Sequence, residues 1–398
     1  MINKPFEQID ETEILNLVTD EVGEGRTLDY KESLPGNSDS EKIEFLADVS
    51  SFANTAGGHV TYGMRERRDG EGKPTGIPEA ADGLEGINAD SEILRLESII
   101  RSSLAPRVPG FRSKSIDGFS KGPVLVLWVP KSWSCPHMVT YKNHSRFYSR
   151  SSNGKYPMDI SEIRSAFAVS EGIPEKIRNF RDARISKIIT NNTPVPLVEG
   201  AKVILHLVPM ASLTEATQFH VAEIYTKRQQ LEPVAFDSTS HRVNFDGVVT
   251  FRVDEEPPKC GAYVQAFRDG TIEAVETAEF GERDGKRFIR SVAFEKDLVS
   301  TTARFLDFQA KFGVPLPVFV MISLSGVKGY TMATPDAYHL TRATPIDRDV
   351  LLLPEIIVEE FDQQISSLLR PAFDAVWQGA GFLRSAYYDQ SGNWKPPS

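Results

Sequence analysis

The stretch from Ser38 to Met64 constrains the fold of this chain more than any other. Ser38-x-x-Glu41 has capping-box spacing and opens a helix carrying Ile43, Phe45, Leu46 and Val49. Asn54 to Gly57 should end that helix, and Gly57-Gly58 supplies a permissive turn. Gly58 to Met64 then alternates as a strand does. A helix passed through a glycine turn into a strand is a building block of layered α/β structure.

The flanking segments extend this pattern. Glu11 to Val22 is amphipathic at helical spacing, with Ile14, Leu15, Leu17 and Val18 on one side, and Arg26 to Lys31 reads as a strand. Arg67 to Gly76 is polar and contains Gly and Pro, so it reads as a loop. Asp90 or Ser91 should cap a helix bearing Ile93, Leu94, Ile99, Ile100 and Leu104. Pro123–Pro130 reads as a buried strand, Met138–Thr140 and Arg146–Arg150 as short ones. Asp159-x-x-Glu162 is a second capping box, opening a helix through Phe167.

An Arg- and Lys-rich helix is expected from Pro174 to about Ile189, followed by the linker Thr190-Asn-Asn-Thr-Pro-Val-Pro196. Beyond it, strands are expected at Ala201–Val208, Gly247–Arg252, Ala262–Ala266, Ile272–Thr277 and Val318–Leu324. Helices are expected at Asp297–Phe312, stopped by Gly313, and at Pro354–Leu369. The organisation is therefore an N-terminal α/β (α+β) domain over 1–172, a connector over 173–196 and a separate α/β domain over 197–398. The C-terminal aromatics Phe305, Phe308, Phe312, Phe319, Trp377 and Tyr387 read as core.

Charge is uneven along the chain. The net charge is −10, yet residues 1–94 hold eight Lys/Arg against 21 Asp/Glu, and residues 95–164 hold twelve against four. A basic segment inside an acidic protein suits a phosphate backbone, unless its charges spread over several faces. The candidate contacts are Arg101, Arg107, Arg112, Lys114, Lys131, Lys142, Arg146, Arg150 and Lys155. Tyr141, Phe147 and Tyr148 lie among them, and Arg146, Tyr148 and Arg150 should share one strand face. No apolar run approaches the roughly 20 residues of a membrane span, and the N-terminus lacks an apolar signal core. Two cysteines, Cys135 and Cys260, are too few for a disulfide framework, so the expected home is cytoplasmic.

Within the acidic part, alternation on the Arg26–Lys31 strand puts Asp29 and Lys31 on the face opposite Leu28 and Tyr30. A carboxylate two residues from a lysine suits a metal nuclease, the acid holding Mg²⁺ or Mn²⁺ and the lysine meeting phosphate. A plain surface ion pair among Asp29, Lys31 and Glu32 is the competing reading. No Gly-x4-Gly-Lys-[Ser/Thr] loop occurs, so no nucleotide is expected. His59 and His206 fall in apolar strand patterns and read as packed or hydrogen-bonded.

Taken in order, Glu24-x4-Asp29-Tyr-Lys31, Phe52-Ala-Asn-Thr-Ala-Gly-Gly-His-Val-x-x-Gly63, Pro136-His-Met-Val, Arg146-Phe-Tyr-Ser-Arg-Ser-Ser and Met158-Asp-Ile-Ser-Glu-Ile resemble the Schlafen core. In bacteria this is the AlbA_2 or divergent AAA-4 domain, and the resemblance covers about residues 20–170. It implies a mixed sheet with flanking helices and three metal-binding acids in a basic groove. By pattern these fall on Glu24, on Asp29 where the family usually has Glu, and on Glu66 where it usually has Asp. Lys31 would assist catalysis.

The resemblance further implies a metal-dependent endoribonuclease acting on tRNA or other structured RNA, in stress or anti-phage defence. The alternative is a non-catalytic nucleic-acid-binding regulator, and a third possibility is a protein-interaction scaffold. Animal Schlafen proteins carry a zinc site, for which Cys135 and His137 offer too few ligands, so no zinc is expected. Two lobes make the groove in those proteins; one unit here implies a homodimer. The C-terminal domain would read a trigger, ligand or protein, or choose the substrate.

Overall fold

The computed structural model describes all residues except 1, 3, 5, 215–217, 234–239, 256–258, 334–343 and 398. The chain divides into two compact units, Met1–Pro174 and Glu175–Ser398. Both mix helices and sheets.

The first unit begins with α1 (Glu11–Thr19), capped by the Asp10 carboxylate, which accepts from Glu13 N. Next come β1 (Leu28–Lys31), α2 (Asp39–Ala53), β2 (Gly58–Tyr62), β3 (Met64–Arg68), β4 (Pro74–Ala81) and α3 (Ala89–Ser103). Then follow β5 (Leu104–Ala105), β6 (Arg112–Ile116), β7 (Val124–Val129), β8 (Met138–Val139), β9 (Arg146–Ser151), β10 (Gly154–Pro157) and the first half of α4 (Ile160–Ile189), whose residues from Glu175 on belong to the second unit. A mixed sheet in the order β1-β2-β7-β6 forms the spine, with β1 parallel to β2 and the rest antiparallel. A second, antiparallel sheet runs β10-β9-β8-β5.

The Ser38 capping box is present in full and opens α2, whose apolar side buries Phe45, Leu46, Val49 and Phe52. The two glycines that follow are demanded by packing as well as by the turn. Gly57 has φ +70°, and a Cβ there would lie 2.6 Å from Lys131 N; at Gly58 it would lie 2.5 Å from Thr27 O. The spine's other face packs Leu28, Tyr30, Ile14, Leu17 and Val126.

Three expectations are corrected in this unit. Only 69–73 of the expected Arg67–Gly76 loop is the turn, and its ends belong to β3 and β4; β3 is charged and β4 carries two prolines and a glycine, so neither shows the apolar alternation that marks a strand. The cap of α3 is Asn88, whose side chain accepts from Ser91 N. The helix opened at Asp159 does not stop at Phe167 but runs on as α4 through Pro174. Its later turns bury Ile177, Ile185 and Ile188, a gain that outweighs the single backbone bond that proline removes.

The second unit contains β11 (Lys202–Pro209), α5 (Met210–Thr214), α6 (Val221–Thr226), β12 (Ser240–Val243), β13 (Gly247–Glu255), β14 (Lys259–Phe267) and β15 (Ile272–Glu276). It continues with β16 (Phe280–Arg283), β17 (Lys286–Ile289), α7 (Ser291–Lys311), β18 (Val318–Ser325), β19 (Thr331–Met332), β20 (Val350–Leu352), β21 (Ile356–Val358) and α8 (Ile365–Gly379). The main sheet runs β12-β13-β14-β15-β11-β18-β20, with β21 also on β18. The helix expected at Pro354–Leu369 is displaced: β21 takes the apolar Ile356–Val358 run, and α8 starts at Ile365. Phe305, Phe308, Phe319, Trp377 and Tyr387 are buried, as a core reading requires.

This unit buries charge in two places. Glu273, fully buried, accepts two bonds from Arg184 (2.7 and 2.6 Å), one from Tyr263 (2.7 Å) and meets His206 Nε2 at 2.8 Å. Burial would raise its pKa, but Arg184 and His206 bring it down to about 2. At the end of β15, Glu276 and Glu279 are both buried. Burial and Asp297 push Glu276 up to about 8; burial and Glu276 push Glu279 up to about 10.

Candidate carboxylate site

β1 places the first part of the site. Leu28 and Tyr30 point into the core, and the Tyr30 hydroxyl is satisfied by Val22 O at 2.6 Å. Asp29 and Lys31 therefore emerge on the other face, where they line an open cleft of about 380 Å³. Glu24 enters from the turn before β1. Its Oε1 accepts from Tyr30 N at 2.6 Å, and its own N–H donates to Gly76 O at 2.6 Å.

Glu66 reaches the same neighbourhood from β3. Its Oε2 accepts from Gly76 N at 3.0 Å, so one residue of β4 is gripped by both glutamates. Gly76 has φ +71°, a left-handed conformation that suits glycine. The acids act on one another electrostatically. Burial first, then Asp29 and Glu66, push the Glu24 carboxyl up to about 7, against the Tyr30 N–H bond that favours its charge.

Asp29 has the opposite environment. It is 4% exposed, ion-paired to Arg150 through Oδ1 and 2.5 Å from Lys31 Nζ through Oδ2. Burial alone would raise its pKa; Lys31 and Arg150 outweigh that and lower it. A fourth acid completes the cluster. Asp48 projects from the buried side of α2, 2.7 Å from Lys155 Nζ and 3.5 Å from Arg150 Nη1. Burial and Asp29 raise its pKa, while Lys155 and Lys31 oppose the shift. Sequence reasoning missed Asp48. Its signal was an acid standing between Phe45 and Val49 on an otherwise apolar helix side.

The basic candidates separate into groups. Arg150 is 4% exposed, so the expected surface strip of Arg146, Tyr148 and Arg150 is corrected. The Arg150 guanidinium turns inward over the Phe52 ring, 4.3 Å from its centroid, because Asp29 and Asp48 need a buried cation. Lys155 also lines the cleft. Arg112 pairs with Glu7, and Lys114 donates to Glu7 O and Ile9 O, so both fasten the N-terminal segment. Lys142 pairs with Asp39, Arg101 lies 3.7 Å from Glu97, and Arg107 and Arg146 are exposed. Tyr148 hydroxyl meets His144 Nε2 at 2.8 Å. His137 is buried, with Nδ1 2.7 Å from Pro106 O.

As donors, these acids suit a hard divalent cation, since their oxygens are carboxylate; among the described residues Glu24 makes no ion pair within 4 Å, although Lys31 acts on it at longer range. Glu24 lines the cleft, whereas Glu66, whose Oε2 accepts from Gly76 N, is not among the residues that line it. Asp29 is engaged by both cations, and among the described residues no three acid, histidine or cysteine groups are gathered around one ion position.

Fold and site together define an α/β domain with a cleft of interleaved carboxylates and cations. Residues 24–159 match the family model described as Schlafen, AlbA_2, and the first unit therefore carries a domain of that family. No curated protein matches the chain. Among solved structures, the DIP2311 protein from Corynebacterium diphtheriae is similar at 18% identity with a TM-score of 0.25. That likeness covers 38% of this chain and 27% of the other, so the chain spans about a quarter of that protein's length. Among the described residues, no helix is long and apolar enough to cross a membrane.

Proposed function

We propose that the Schlafen, AlbA_2 domain is a metal-dependent endoribonuclease acting on tRNA or another structured RNA. The observation that carries this reading is Glu24: a carboxylate pushed up to about 7 beside Asp29 and Glu66, at a cleft also holding Lys31 and Lys155. Glu24 and Glu66 would hold a Mg²⁺ or Mn²⁺ ion, which supplies an activated water and offsets charge on the scissile phosphate. Lys31 and Lys155 meet the phosphate oxygens, and Arg150 keeps Asp29 ionised and in place. The exposed Arg101, Arg107 and Arg146 track the backbone farther out. A homodimer lengthens that basic surface, and the Glu175–Ser398 unit chooses the substrate or reads a trigger in stress or antiviral defence.

Incubation of the full chain with total tRNA and Mn²⁺ tests this. Cleavage by the wild type, abolished in Glu24→Ala and in Asp29→Ala, is the expected result. Tight RNA binding without cleavage favours the second reading, a non-catalytic nucleic-acid-binding regulator. One observation favours that rival: Lys31 and Arg150 both pair with Asp29.

A further inference from the structure

A second cavity adjoins the carboxylate cleft. It measures about 390 Å³ and shares Lys31 and Asp48 with the first, so those two side chains form the partition between them. The two cavities differ in chemistry. The first holds Lys31, Arg150 and Lys155 among its acids. The second has an apolar floor of Leu34, Pro35, Phe45 and Tyr62, with Glu41 and Glu44 at its rim and Lys31 as its single cation.

We propose that this second cavity is a nucleobase subsite, selective for bases that carry an exocyclic amino group. The inference rests on the reading that the carboxylate cleft receives a phosphate. A nucleotide has the same polarity as the paired cavities: a phosphate that needs cations, joined to a flat ring that needs an apolar surface. Phe45 and Tyr62 are each 2% exposed, so the floor is fixed by core packing. Tyr62 pairs with Lys31 in the β1–β2 register, which sets the floor directly beside the partition. The Tyr62 side chain is buried and lines the cavity.

The rim decides which base fits. Glu41 is spent on the α2 capping box, bonding Ser38. Glu44 gives one oxygen to Lys155, and its side chain stays exposed beside the cavity. A carboxylate only accepts hydrogen bonds; the exocyclic amino groups of guanine, adenine and cytosine offer it donors, whereas the single N3–H of uracil stands between two carbonyl oxygens that repel it. Three acids around one lysine also repel a second phosphate.

Calorimetric titration of the full chain with GMP, AMP, CMP, UMP and ribose 5-phosphate tests the proposal. The amino-bearing nucleotides should bind about tenfold more tightly than UMP or ribose 5-phosphate, the size of one good polar base contact. In Glu44→Gln the GMP-to-UMP ratio should fall to within about twofold, by loss of that contact. Ser40→Trp, which fills the cavity from the first turn of α2, should remove the ratio independently. Thermal unfolding verifies that both variants are folded. Ribose 5-phosphate binding as tightly as every nucleotide overturns the subsite and leaves the phosphate-cleft reading standing. A base preference that survives both variants also overturns it. Failure of all five ligands to bind overturns both readings together.

Discussion

Arg150 and Asp29 form an ion pair inside the first unit, each 4% exposed, with the Arg150 side chain over the Phe52 ring. The pair joins β9 to β1 and so connects the two sheets of that unit at the floor of the cleft. Removing the cation leaves the buried Asp29 with Lys31 alone and the buried Asp48 with Lys155 alone. Arg150→Met should therefore cost about 3–5 kcal/mol, read as the urea-unfolding free energy of the full chain. Arg150→Lys should recover only part, since an ammonium lacks the fork that reaches both acids. A loss below about 1 kcal/mol in Arg150→Met would show that the pair is not held as described.

The two glycine positions near the site should respond differently. At Gly76 a Cβ meets Glu24 Cβ at 3.5 Å, an ordinary contact, so Gly76→Ala carries only the left-handed backbone penalty of about 1–2 kcal/mol. At Gly57 a Cβ would sit 2.6 Å from Lys131 N and 2.8 Å from Val129 O, both backbone atoms that cannot step aside. Gly57→Ala should be the more destabilising of the two by thermal melting. The reverse order would contradict the packing of the α2–β2 turn.

In the second unit, Arg184 and Glu273 offer a double-mutant cycle. Arg184→Met should cost about 3–5 kcal/mol, because Glu273 remains buried with only His206 and Tyr263. Adding Glu273→Gln should restore a large part of that loss, since the stranded charge is then gone. Purely additive losses in the double variant would argue against direct coupling.

Glu276 and Glu279 set a pH dependence with a definite sign. In the unfolded chain they release protons near 4.5, whereas in the fold they hold them until about 8 and about 10. Above 4.5, unfolding therefore releases protons, and stability falls as pH rises through 8 and on towards 10. Glu276→Gln and Glu279→Gln should flatten this fall, as shown by the difference from wild type in urea midpoints between pH 5 and pH 9. The lowered Glu273 acts below 4.5 and lies outside that window. Parallel wild-type and variant curves would contradict the assignment.

Sequence alone located β2 and β7, whose patterns are bounded by glycine or proline, and β1, whose apolar Leu28 and Tyr30 alternate with Asp29 and Lys31. The Ser38 and Asp159 capping boxes were legible for the same local reason, and both appear with their bonds made. The β3–β4 hairpin was not, since β3 is charged, β4 holds two prolines, and the two are joined by ion pairs such as Arg65 with Glu79. Glu24, Asp29 and Glu66 were found by pattern. What escaped was the neutralisation of Asp29, which depends on Arg150 from a strand more than a hundred residues away. Linear spacing carries no record of that meeting.

The hairpin that presents Gly76 to both glutamates has a consequence for handling the molecule. Its far end is closed by its own bonds: the Asp69 carboxylate accepts from Glu71 N and Lys73 N, and Asp69 N donates to Lys73 O. Lengthening a surface turn costs little, since closure entropy grows only slowly with length. The Asp69–Lys73 tip is thus a grafting point: a reporter dye or affinity tag could be built there while the acids stay in register at the base.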